Sequence, residues 1–156
     1  QADEAPKRYG KWLRQLRSTQ EFRTYPDRAA LAARLCKDNA RLTAQRAAFL
    51  AEHFGVENAE GGISLALDPA HRLMNPTLYR VEEAQACWRN VTAPVLWVTA
   101  PESYVFREFF SYDSDEHRLR MASFQHLQQV HVADCGHNMH HDRPEEIARL
   151  IEEFVR

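Results

Sequence analysis

At 156 residues the chain is long enough for a domain with a real core, and its formal charge of -2 gives no basic footprint for nucleic acid. No apolar run approaches the roughly 20 residues of a membrane span, so no membrane partner is expected. Cys36, Cys87 and Cys135 are odd in number and widely spaced, which reads as reduced thiols in a cytoplasmic protein.

The first half reads as helices. Tyr9, Trp12, Leu13 and Leu16 fall at i, i+3, i+4 and i+7 and so share one helix face. Tyr25-Pro26-Asp27 breaks that pattern and offers Asp27 as the cap of a helix from Arg28 to about Cys36. Thr43 caps a third helix with Ala47, Leu50, Ala51 and Phe54 on its apolar face and Gly55 as its stop. These helices are too short to be stable alone and must pack on something. Residues 57–69 are polar, with a possible short strand at 63–67. Asn75-Pro76 is expected to open a helix carrying Leu78, Val81, Ala84 and Trp88.

The second half alternates between the two periods. Pro94-Val95-Leu96-Trp97-Val98-Thr99 is a continuous apolar run, the pattern of a parallel strand buried on both faces. Residues 104–121 read as loop plus helix. Val130-His131-Val132-Ala133 reads as a second strand, followed by a Gly136-His137 turn. The closing helix carries Ile147, Leu150, Ile151 and Phe154; Asp142 and Glu145 suit a capping box, and Pro144 suits the first turn. Two strands make a poor sheet, so further strands are expected outside this sequence.

Gly136-His137-Asn138-Met139-His140 with Arg143-Pro144-Glu145-Glu146 behind it resembles the histidine loop of the α/β-hydrolase family. Residues 91–99 resemble that family's penultimate core strand. The resemblance implies an α/β fold: the C-terminal portion of an α/β-hydrolase (residues 71–156) preceded by a helical cap (residues 1–70). It implies hydrolysis of an ester or related acyl bond by a nucleophile, a histidine base and an orienting acid. His137 takes the place of the base. Ser103 stands where the family often has an aspartate, so the expected acid is Glu102, one position earlier, or, as in some relatives, a carboxylate after the preceding strand, upstream of this chain. Trp12, Met74, Tyr104 and Met139 are candidate walls for a small-molecule substrate.

The family's nucleophile elbow is absent. Gly62-Ile63-Ser64-Leu65-Ala66 is the nearest string, but it lacks a preceding buried strand and its second glycine. The nucleophile is therefore expected on an N-terminal half of the same hydrolase, upstream or on another chain, and this chain alone is expected to be inactive. The alternative is a non-catalytic binding protein on the same scaffold. His131, His137, His140 and His141 cluster with Asp134, Cys135 and Asp142. All come from one loop, whereas zinc takes ligands from anchored elements, so neither metal nor organic cofactor is expected.

Overall fold

The computed structural model describes residues 2–18, 21–108, 111, 112 and 114–156. The chain divides into two compact units, residues 1–79 and 80–156.

In the first unit, helix α1 (Ala5–Leu16) follows a single 3-10 turn and has Pro6 in its first turn. Its Tyr9, Leu13 and Leu16 side chains are 47–50% exposed, so the apolar face read from the sequence is largely uncovered. Gln15 Oε1 accepts from the Met74 amide at 2.9 Å, and Arg8 Nε donates to the Pro76 carbonyl at 3.0 Å, tying residues 74–76 to the helix. Helices α2 (Arg28–Asp38) and α3 (Ala44–Phe54) start where the capping residues place them. Asp27 accepts from the Ala30 amide at 2.7 Å and Thr43 from the Arg46 amide at 3.2 Å.

After α3 the chain forms a hairpin that the sequence pattern did not disclose. Strand β1 (Gly55–Glu57) pairs antiparallel with β2 (Ile63–Leu65), with Val56 opposite Ser64. Asn58 makes the turn, its side-chain oxygen accepting from the amides of Glu60 and Gly62. Gly55 stops α3 as expected, its amide bonding the Ala51 carbonyl, and is also a point of close approach. A Cβ there would lie 2.7 Å from Ile63 Cγ2 and 2.8 Å from the Ala51 carbonyl. Tyr25 joins the hairpin by exchanging two backbone hydrogen bonds with Ile63, at 2.8 and 2.7 Å. Tyr25, Leu31, Ala51 and Ile63 form the core of this unit.

The second unit opens with α4 (Val81–Arg89), which begins later than Asn75-Pro76 suggested; residues 75–80 are not helical. The Arg8 and Gln15 bonds to residues 74–76 hold that stretch in another conformation. Strand β3 (Val95–Thr99) follows, then α5 (Tyr104–Glu108), α6 (Asp115–Met121) and strand β4 (Leu127–His131). Strands β3 and β4 are parallel, with Val95 opposite Leu127 and Thr99 opposite His131. The last strand thus lies earlier than the apolar run at 130–133, because β3 sets its register.

The unit ends in a short helix α7 (Met139–Asp142) and α8 (Pro144–Val155). The expected Asp142–Glu145 capping box is not made: α8 has Arg143 at its cap position with no side-chain cap bond. Asp142 is turned to another partner, described below. Ala100, Val132 and Cys135 are at most 1% exposed and form the core here, with Val98, Met139, Ile147 and Leu150 packed on them. Trp88 stacks on Phe124 with ring centroids 5.2 Å apart.

Leu31 is 1% exposed and is the largest fully buried side chain of the first unit's core. Leu31→Ala is expected to destabilise the protein by about 3 kcal/mol, through lost transfer energy and the residual cavity. The midpoint and slope of urea denaturation measure it; a loss below about 1 kcal/mol would show that the site collapses around the gap.

Candidate active site

The site is built where β3 and β4 end side by side. The ladder runs one bond past the strands, from the Val132 amide to the Thr99 carbonyl at 2.9 Å. Each chain then turns. After β3, the Ser103 amide closes a turn on the Ala100 carbonyl at 2.9 Å, and the Ser103 hydroxyl accepts from the Val105 amide at 3.3 Å at the start of α5. A serine here supplies the local side-chain bond that opens a helix.

After β4 the loop is held from within. Asp134 adopts a left-handed backbone with φ of 52°, a conformation that aspartate tolerates better than most residues. Its carboxylate pairs with Arg143 at 3.3 Å. The fully buried Cys135 thiol lies 3.3 Å from the Val132 carbonyl. Asp142, 6% exposed, accepts from the Gly136 amide at 2.7 Å. This bond ties the backbone just before His137 to the end of α7, while Arg143 takes the cap position of α8.

Held in this way, His137 projects from the loop with an exposed side chain. Its Nδ1 lies 3.1 Å from the Ser103 Oγ, and its ring centroid lies 4.7 Å from that of Tyr104 at 58°. Both ring nitrogens of a histidine matter, and here only Nε2 is left to meet a reacting group. Beside the ring opens a cleft of about 190 Å³, lined by His137, Ser103, Met139, Phe106, His117 and the exit of β3 among others. Four successive residues, Trp97 to Ala100, border it. Side chains alternate across a sheet, so this happens only at a strand's edge or end.

The candidates read from the sequence fall into two groups. Met139 borders the cleft, whereas Tyr104 packs on the His137 ring without lining the cleft. Trp12 and Met74 belong to the first unit, both half-buried, with Trp12 on α1 and Met74 bonded to it. Glu102, the expected acid, sits in the exposed turn after β3 and does not border the cleft; the side chain on His137 Nδ1 is that of Ser103. Ser64 is on β2 of the antiparallel hairpin, 3.2 Å from Asn58 Nδ2, and not on a strand-to-helix elbow.

Four residues at or beside the site escaped the sequence reading in these roles. His117, 4% exposed on α6, borders the cleft from a stretch read only as mixed and charged. Asp142 as the brace of the loop is foreshadowed only by its place between a glycine-histidine turn and a proline. Thr99 and Tyr112 both bond His131, with Thr99 Oγ1 2.7 Å from Nδ1, so that imidazole is tied to the β3 exit. Among the described residues, no three His, Cys, Asp or Glu side chains converge to hold a metal ion.

No family model and no curated protein matches this sequence. Solved structures do match. A thioesterase domain from the curacin biosynthetic pathway is 22% identical at a TM-score of 0.74, over 96% of this chain and 51% of its own length. E-2-(acetamidomethylene)succinate hydrolase is 19% identical at 0.64, over 98% and 52%. The Mycobacterium tuberculosis esterase Rv0045c is 16% identical at 0.68, over 97% and 47%. The chain therefore spans about half the length of the solved structures it matches, and at these identities the likeness is one of fold.

His141 is half-buried in α7, and burial first, then the neighbouring His140, lowers its pKa from 6.5, against the opposing pull of Asp142. A histidine with a lowered folded pKa binds fewer protons folded than unfolded. Its contribution is complete above 6.5 and declines as pH falls from there through the lowered folded value. Thermal melts between pH 5 and pH 8 are expected to show His141→Gln flattening this acid-side decline; an unchanged slope would assign the decline to other groups.

Proposed function

We propose that this chain, which has the fold of the C-terminal portion of an α/β-hydrolase, supplies the histidine half of an esterase-like acyl hydrolase. The observation that carries the reading is the placement of His137: an imidazole at the exits of two parallel strands, held at Nδ1, with Nε2 free toward a cleft. In this role Nε2 takes the proton of a nucleophile as it attacks the acyl carbon, then returns it to the leaving alcohol. Met139 walls the cleft against the acyl group, and Tyr104 packs on the His137 ring.

The nucleophile and its oxyanion donors lie on an N-terminal half outside this chain, and that half is the chain's partner. Two features of the second unit support this. The apolar strand β3 is only half-buried from Val95 to Val98, and among the described residues it pairs with β4 alone. Strand β4 has exposed Gln128 and Gln129, the composition of a natural sheet edge. The open side of β3 is thus the side made for another strand. The buried indole nitrogen of Trp97, which borders the cleft, also has no hydrogen-bond partner among the described residues. Residues 1–70 act as the cap of the same enzyme.

A second reading has one observation in its favour. The group on His137 Nδ1 is a neutral hydroxyl rather than a carboxylate, as would befit a scaffold kept for binding after its chemistry was lost.

With the N-terminal half present, His137→Ala is expected to lower kcat for a short p-nitrophenyl ester by about a thousandfold or more, the scale on which triad histidines act. Activity equal to the parent would reject His137 as the base and favour the binding protein.

A further inference from the structure

We propose that Ser103, and not a carboxylate, is the positioning residue for His137, accepting the Nδ1–H bond that fixes the imidazole's tautomer and orientation. The proposal rests on the hydrolase reading above and specifies how its base is held.

Ser103 is 4% exposed, and its Oγ has two contacts in the structure. The Val105 amide donates to it at 3.3 Å, which engages one lone pair and fixes the side chain against the start of α5. His137 Nδ1 lies 3.1 Å away on the other side. A hydroxyl has one further lone pair and one proton, so the bond to Nδ1 can run in either direction. The two directions have opposite consequences. If Ser103 donates, the neutral ring carries its proton on Nε2, and that nitrogen has no lone pair with which to take another. If Ser103 accepts, the ring is protonated on Nδ1 and Nε2 is ready.

The working cycle of a base decides between them. Once His137 has taken a proton, both its nitrogens are donors. Ser103 must then accept from Nδ1. A hydroxyl that already accepts in the neutral form keeps the same bond through the whole cycle and needs no rotation when charge appears, which is the condition for a preorganised site. The backbone amide of Val105 holds the oxygen in place in either direction and leaves it a lone pair with which to accept from Nδ1. What a hydroxyl lacks is the negative charge that would stabilise the imidazolium. Ser103 therefore orients the ring but supports its cationic state less than a carboxylate would.

The test uses the full protein, N-terminal half included, with p-nitrophenyl butyrate as the probe and ¹⁵N NMR of the histidine rings as a readout independent of turnover. Three results are expected. At neutral pH, His137 is protonated on Nδ1 in the parent and loses that preference in Ser103→Ala, a change that removes one oxygen and no carbon from the packing. Ser103→Ala lowers kcat by about 10- to 100-fold with KM within about twofold, less than the roughly 10⁴-fold that a wrong tautomer costs a serine-protease triad. Ser103→Asp restores kcat to the parent value or above. A parent ring protonated on Nε2 overturns the proposal. So does a Ser103→Ala variant with unchanged tautomer and kcat, and a fall in kcat with Glu102→Gln instead would return the role to that carboxylate. If His137→Ala is as active as the parent, the hydrolase reading itself fails. If no form turns over the ester, the ring tautomer alone decides the role of Ser103.

Discussion

The parallel pairing of β3 with β4 is the constraint on which the site depends. It sets Thr99 opposite His131, so the two strands end at the same level and their exits run on side by side. From one exit the chain reaches Ser103, from the other His137, and the two side chains meet. A slip of a single residue in that register would turn every side chain of β4 to the other face of the sheet and carry the loop away from the cleft. The core beneath keeps the register. Ala100, Val132 and Cys135 lie directly after the strands and are buried under Met139, Ile147 and Leu150. Helix α8 thus serves the site at one remove: its apolar face clamps the strand exits that aim the histidine.

Backbone hydrogen bonding then does what packing cannot. The His137 loop has little regular structure, and buried amides in such a segment need partners. Asp142 supplies one for Gly136, and the Asp134–Arg143 pair spans the same loop on its exposed side. The surface pair is worth little by itself. The buried carboxylate is the stronger tie, since removing it would leave an amide unsatisfied at a cost of about 1–3 kcal/mol. A rigid loop matters because a base must hold its geometry within a fraction of an ångström to act.

Sheets of two strands are marginal, and a strand composed for burial on both faces gains less while Val95 to Val98 are only partly buried. The contrast between apolar β3 and glutamine-bearing β4 gives the sheet a direction. Strand β4 carries exposed glutamines, whereas β3 is apolar and only partly buried. The exposed apolar face of α1 in the first unit has the same character. These surfaces accord with a chain that spans about half the length of the folds it matches.

By itself the sequence determined the elements whose signals are local. Asp27 and Thr43 capped their helices as read, because a cap is a bond between near neighbours in the chain. The apolar run of β3, the amphipathic α8 and the histidine turn were legible for the same reason, and with them the fold class. Tertiary structure decided everything that rests on a partner distant in sequence. The β1–β2 hairpin pairs residues 55–57 with 63–65 and is joined by Tyr25, which bonds Ile63 from 38 residues away in the chain. Strand β4 moved to Leu127–His131 because β3 imposed its register. Asp142 left its cap for the Gly136 amide, and Ser103 rather than Glu102 came to rest on the imidazole. A sequence lists which groups could bond; only the folded chain brings one of them within 3.1 Å and leaves the other in an exposed turn.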